Sequence, residues 1–206
     1  MKSENHWLDW AKELQFIAQS ALTYCKDPFD IERFERVRGI AAEMMSEIAD
    51  MPLERVRDLF CSEKGYQTPK LDTRAAVIRD GKIALVQERD GLWAMPGGWC
   101  DYNQSVRANT EKEALEEAGM TVRVTRVVAL FDHNRRNLPP SGWEICTALL
   151  LCEYVGGSFA PNTETTACEW FAPDDLPPLN VRKTNADQIR LAFQAQEAAH
   201  WETIVD

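Results

Sequence analysis

The stretch Gly97–Met120 reads GGWCDYNQSVRANTEKEALEEAGM, a glycine pair followed by a polar loop and a glutamate-rich segment. Ser105 is a good helix-capping residue, most residues after it favour helix, and Gly119 suits a left-handed C-terminal cap, so a helix is predicted over 105–118. At about 100° per residue, Glu113, Glu116 and Glu117 fall within an arc of roughly 100° on one face. Like charges at these spacings repel by roughly a few tenths of a kcal/mol per pair, so helix stability gives no reason for them. A divalent cation would remove the repulsion, and hard carboxylate oxygens suit Mg²⁺ or Mn²⁺ with phosphate oxygens completing the shell. Helix spacing alone fits a solvated acidic surface equally well.

Working outward, strands flank this helix. A strand is predicted over 73–79, Asp80-Gly81 is a hairpin signal, and 82–88 is the returning strand. Further strands are expected at 122–130, 145–154 and around 169–171, and a last amphipathic helix over 184–200. Strands and helices mixed in this order predict an α/β sandwich with a mixed sheet. Before the Gln67-Thr68-Pro69 linker the period is helical. Trp7, Trp10, Ala11, Leu14, Ile17 and Ala18 mark one helix closed off by Pro28; Ile31, Phe34, Val37, Ala41, Met44, Met45 and Ile48 mark a second; Leu53, Val56 and Phe60 follow Pro52 in a third, with Gly65 as its cap. The expected division is a small all-helical domain over 1–66 and an α/β domain over 67–206.

Composition narrows the function classes. The chain has 206 residues with 23 basic against 33 acidic, a net charge of −10, which argues against broad binding to nucleic acid. Its longest mostly apolar run, Ile145–Cys152, falls far short of the roughly 20 residues that cross a bilayer. The opening MKSENHW carries no basic and apolar signal pattern, and a cytoplasmic protein is expected. Six cysteines without CxxC spacing argue against zinc and read as core or idle thiols.

With Gly98 as its first glycine, the loop and helix resemble the Nudix hydrolase box. That pattern is a Gly, five residues, a Glu, seven residues, then Arg-Glu-apolar-any-Glu-Glu-any-Gly-apolar. Seven of nine specified positions match: Gly98, Glu113, Ala114, Glu116, Glu117, Gly119 and Met120. Gln104 stands where the pattern has Glu and Lys112 where it has Arg. The resemblance implies that these two tie the loop to the helix, a bracing weakened here because Lys lacks the planar guanidinium fork. The Trp93–Gly98 approach, the Asn162–Thr165 loop and the Trp170–Pro177 segment extend the resemblance. The helical start looks like the N-terminal domain of a bacterial subgroup that includes CDP-choline pyrophosphatase.

What the resemblance implies is hydrolysis of the diphosphate linkage in CDP-choline, ADP-ribose or similar nucleoside diphosphate derivatives, dependent on Mg²⁺ or Mn²⁺. Glu113, Glu117 and the Gly97 carbonyl would hold metal, and Glu116 would hold a second ion or remove the proton of the attacking water. Glu164, in a polar loop between strands, is the other candidate base, with a solvated loop residue as its plain alternative. Lys112 enters the catalytic set as the brace. Arg74 on the first strand is expected to meet phosphate or ribose, and Phe131 and His133, read as flanking a loop with Arg135, Arg136 and Trp143, could stack on a base or meet phosphate. Other readings are a Nudix-fold module that senses a nucleotide without cutting it, and an enzyme acting on NADH or nucleic-acid 5′ ends. Broad apolar faces on the helical domain predict a homodimer built on it, with the same helices contributing to the substrate pocket.

Overall fold

The computed structural model describes residues 6–206. The N-terminal signal reading rests partly on residues 1–5, which lie outside the described residues. Two compact units divide after Pro69.

The first unit holds α1 (His6–Tyr24), α2 (Pro28–Ala49) and α3 (Leu53–Phe60). Pro28 does not close α1; it opens α2, one residue after Asp27, whose carboxylate accepts from the amides of Phe29 and Asp30. Proline in a first turn loses no helical hydrogen bond, since that amide would be unpaired anyway. Gly65 likewise is not the cap of α3, which ends at Phe60; it lies in a later bend at φ 93°, and its carbonyl accepts from Gln19 Nε2. Ala11, Ala41, Ala42, Met45, Val56 and Phe60 form the core of this unit. Trp7 remains 63% and Phe29 67% exposed, more apolar surface than three helices hide.

The second unit contains β1 (Lys70–Arg79), β2 (Lys82–Glu88), β3 (Trp93–Ala94), α4 (Val106–Ala118), β4 (Met120–Asp132), α5 (His133–Arg136), β5 (Ile145–Gly157), β6 (Thr165–Phe171), α6 (Ala186–Glu197) and β7 (Ile204–Val205). The sheet is mixed, in the order β3-β2-β1-β5-β4-β7 with β6 beside β2. β1 runs parallel to β5, and β4 antiparallel to it. Asp80 and Gly81 both take positive φ at the β1–β2 hairpin, as a turn matched to strand twist requires.

Alternation along β1 sends Ala75 and Val77 to the face covered by α4, and Ala76 and Ile78 to the opposite face with Ile189 and Ala192 of α6. The result is helix, sheet, helix. β1 pairs with β2 only near the hairpin, at Ile78–Ile83 and Arg79–Lys82. Its other half is hydrogen-bonded by the segment before α4, through Thr73 N to Gly98 O, Ala75 N to Pro96 O and Cys100 N to Leu71 O. The glycine-bearing loop is therefore laid along the sheet as a surrogate strand.

Candidate active site

Helix α4 starts where Ser105 Oγ accepts from Ala108 N and ends where Gly119, at φ 65°, donates its amide to Leu115 O. A Cβ on Gly119 would stand 2.3 Å from Ser158 O, so glycine is required there for closeness as well as for handedness. Ala114 and Ala118 face the core, and Glu117 lies beside them, 8% exposed.

Glu117 Oε2 accepts from Gly97 N at 2.8 Å. Burial pushes its carboxyl up to about 7, against the lowering effect of that amide and of the nearby Arg74 charge. Glu113 is also raised, chiefly by burial, with Lys112 opposing and the charges of Glu116 and Glu164 adding to the rise. Glu164 is thus near enough for its charge to be felt at Glu113. Lys112 Nζ lies 3.1 Å from Glu113 Oε1, 3.1 Å from Glu116 Oε2 and 3.3 Å from Asp101 Oδ2. Hydrogen bonds to Glu116 and Glu113 hold the ammonium well above the usual lysine range.

The glycines shape this wall. Gly97 has φ 150°, and a Cβ there would fall 1.9 Å from Thr73 O. A Cβ on Gly98 would stand 3.1 Å from Glu113 Oε2, so its absence leaves open space beside that carboxylate. Asn109, fully buried, joins helix, loop and sheet: Nδ2 donates to Thr73 Oγ1 at 2.9 Å and Oδ1 accepts from Asp101 N at 3.2 Å. Asn162 anchors the Glu164 loop, donating to Glu116 O and accepting from the amides of Glu164 and Thr165.

The three residues expected to meet substrate are all buried in the free chain. Arg74 faces inward, 6% exposed; its Nε and Nη2 bind Asp72 at 3.0 and 2.8 Å, and its Nη1 donates to Gly97 O at 2.7 Å. Phe131 lies near the end of β4, 1% exposed, where that strand runs to Asp132 against β5. His133 opens α5 and is 9% exposed, with Nδ1 3.2 Å from Thr147 Oγ1. Arg136 packs over the Phe131 ring and pairs with Asp206, while Lys70 lies over the Trp143 ring.

Asp72, Asp101 and Asn109 join the site without having stood out in the sequence. A signal existed for Asp72: with Arg74 it puts polar residues at i and i+2 on one face of an otherwise apolar strand.

The donor set fits a hard divalent cation. Glu113 borders the open space left by Gly98, and Glu113 and Glu116 already draw a cation, the Lys112 ammonium. As they stand they bind protein groups, and no three His, Cys, Asp or Glu among the described residues are drawn together tightly enough to chelate an ion.

Residues 69–192 match the NUDIX domain, and residues 5–60 match the family described as "UDP-X-like, N-terminal oligomerisation domain". The chain belongs to the Nudix family. This Nudix chain is 34% identical over 207 aligned residues, spanning 100% of both chains, to a Bacillus subtilis (strain 168) protein named "Putative ADP-ribose pyrophosphatase YjhB". It is similar to the crystal structure of an ADP-ribose pyrophosphatase from Streptococcus suis 89-1591, 50% identical with TM-score 0.64, covering 68% of this chain and 100% of that one. It is also similar to the crystal structure of a UDP-X diphosphatase, 32% identical with TM-score 0.64, covering 97% and 98% of the two chains. Nudix enzymes typically depend on a divalent metal. No helix among the described residues is long and apolar enough to cross a membrane.

Proposed function

We propose that this Nudix pyrophosphatase hydrolyses the diphosphate linkage of ADP-ribose or of a UDP-linked derivative, giving a nucleoside monophosphate and a phosphorylated second product. The observation that carries the reading is the meeting of Glu113 and Glu117 with the Gly97–Gly98 loop, where the Gly97 amide fixes Glu117 and Lys112 spans Glu113 and Glu116. Relatives named for ADP-ribose and UDP-X support these substrates. CDP-choline has no specific support among them.

Glu113, Glu117, Glu116 and the Gly97 carbonyl would hold Mg²⁺ or Mn²⁺. Such an ion neutralises diphosphate oxygens and makes a nearby water a stronger nucleophile. Glu117 is steadied by the Gly97 amide, so its orientation is fixed before substrate arrives. Lys112 holds Glu113 and Glu116 together through a shared ammonium, which offsets their mutual repulsion. Glu164, exposed on a loop anchored by Asn162, would take the proton of the attacking water; Glu116, 58% exposed at its side chain, is the second candidate.

The helical unit pairs two copies of the chain. Its exposed Trp7, Trp10, Phe29 and Leu59 supply apolar surface, and the matching family is described as an oligomerisation domain.

The direct test is a substrate panel of ADP-ribose, UDP-sugars, CDP-choline and NADH, with Mg²⁺ and Mn²⁺ varied. Metal-dependent release of AMP or UMP from the first two classes is expected. Binding without turnover of any of them would favour the nucleotide-sensing reading.

A further inference from the structure

A buried ion pair lies behind the loop and outside the carboxylate set. The side chains of Asp72 and Arg74 are each only 7% exposed. Burial of an ion pair is weak evidence for stability, because desolvation of both charges consumes most of the attraction and apolar replacements are often as stable. Its geometry points to positioning.

Asp72 Oδ1 and Oδ2 take Nη2 and Nε of Arg74 in a two-pronged contact, which sets the guanidinium plane. Thr147 Oγ1 donates to Asp72 Oδ2 at 3.4 Å, and His133 Nδ1 stands 3.2 Å behind that hydroxyl, so the acid is itself held. Nη1, the remaining edge of Arg74, reaches Gly97 O at 2.7 Å and Met95 O at 3.4 Å. The amide of the same Gly97 donates to Glu117 Oε2. Gly97 has the positive φ of a residue held by its surroundings, with Thr73 O where a Cβ would be.

We propose that Asp72 is a positioning residue for the carboxylate site: it fixes Arg74, Arg74 fixes the Gly97 carbonyl, and the Gly97 amide fixes Glu117. This inference rests on the metal-dependent reading above. The chain of contacts starts on the sheet face opposite α4 and passes the sheet edge through one glycine. Asp72 touches no reacting group; it acts through Arg74.

The test is Mn²⁺ affinity of the full chain, measured by calorimetry, for Asp72→Asn with Arg74→Met. The double change removes both charges together, so no unpaired ion is left buried and folding is retained, as the melting temperature will verify. Affinity is expected to fall tenfold or more while melting stays within a few degrees. Unchanged affinity in the folded double variant would reduce the pair to a structural contact and overturn the proposal. Should the double variant fail to fold, Arg74→Lys takes its place: it keeps the charge but cannot bind Asp72 and Gly97 O together, and the same fall or its absence decides. Glu117→Gln is the control. If it too leaves Mn²⁺ affinity unchanged, the metal assignment fails; if it alone weakens binding, only the role of Asp72 fails.

Discussion

Lys112 Nζ lies 3.3 Å from Asp101 Oδ2, so the tie between the loop and α4 runs through Asp101, three residues before Gln104. The weak brace implied by the Lys and Gln departures from the Nudix pattern is thus supplied from elsewhere. Asp101→Asn should lower stability by at most about 1 kcal/mol, since a half-exposed ion pair contributes little. Lys112→Met should cost no more in stability yet reduce turnover about tenfold, because Glu113 and Glu116 lose their common partner. Thermal melts beside steady-state kinetics check both. A large stability loss with normal turnover would show that Lys112 serves the fold alone.

Gly97→Ala should destabilise the protein by about 3 kcal/mol or more, through the clash with Thr73 O and the strained φ. Gly142→Ala, with open space at its Cβ position, should be close to neutral. Chemical denaturation of the two variants makes the comparison, and equal effects would mean that the loop is not held against β1.

Burial lowers the His133 pKa from 6.5, and the charge of Asp72 only partly opposes this. The unfolded chain then takes up the proton first as pH falls, so stability contributed by neutral His133 is complete above 6.5 and is lost as pH drops from there through the lower folded-state value. His133→Asn keeps a donor for Thr147 without titrating, and should lack this loss. Melting temperatures at pH 7.5 and 5.5 for both proteins test the sign; parallel shifts would remove His133 from the acid response.

If the helical unit joins two copies, light scattering at micromolar concentration will give twice the 23.5 kDa of one chain. Trp7→Ser with Trp10→Ser should shift the population toward monomer. A monomeric wild-type protein would contradict the pairing.

The sheet, the hairpin and α4 were legible because they follow from local composition and caps: the short apolar run Ala75–Ile78 in β1, Asp80-Gly81 at the turn, Ser105 and Gly119 around the helix. The glutamate face was equally legible, since helical spacing fixes direction. The burial of Arg74, Phe131 and His133 was not legible, because a local stretch of sequence does not show which residues a layer of helices or a loop will cover. β4 continues through Phe131 only because β5 offers partners that far, a long-range fact no local window contains. Asn109 and Asp101 escaped for the same reason: their partners, Thr73 and Lys112, are brought to them by the fold.

Glu117, fixed by the Gly97 amide, is proposed to serve a metal-dependent hydrolysis. The most direct test is the turnover of ADP-ribose with saturating Mg²⁺ by the wild-type chain and by Glu117→Gln, which should retain its melting temperature within a few degrees. Metal-dependent release of AMP by the wild type is expected, with a loss of about a hundredfold or more in the variant. A folded Glu117→Gln protein that turns over at the wild-type rate would contradict this role.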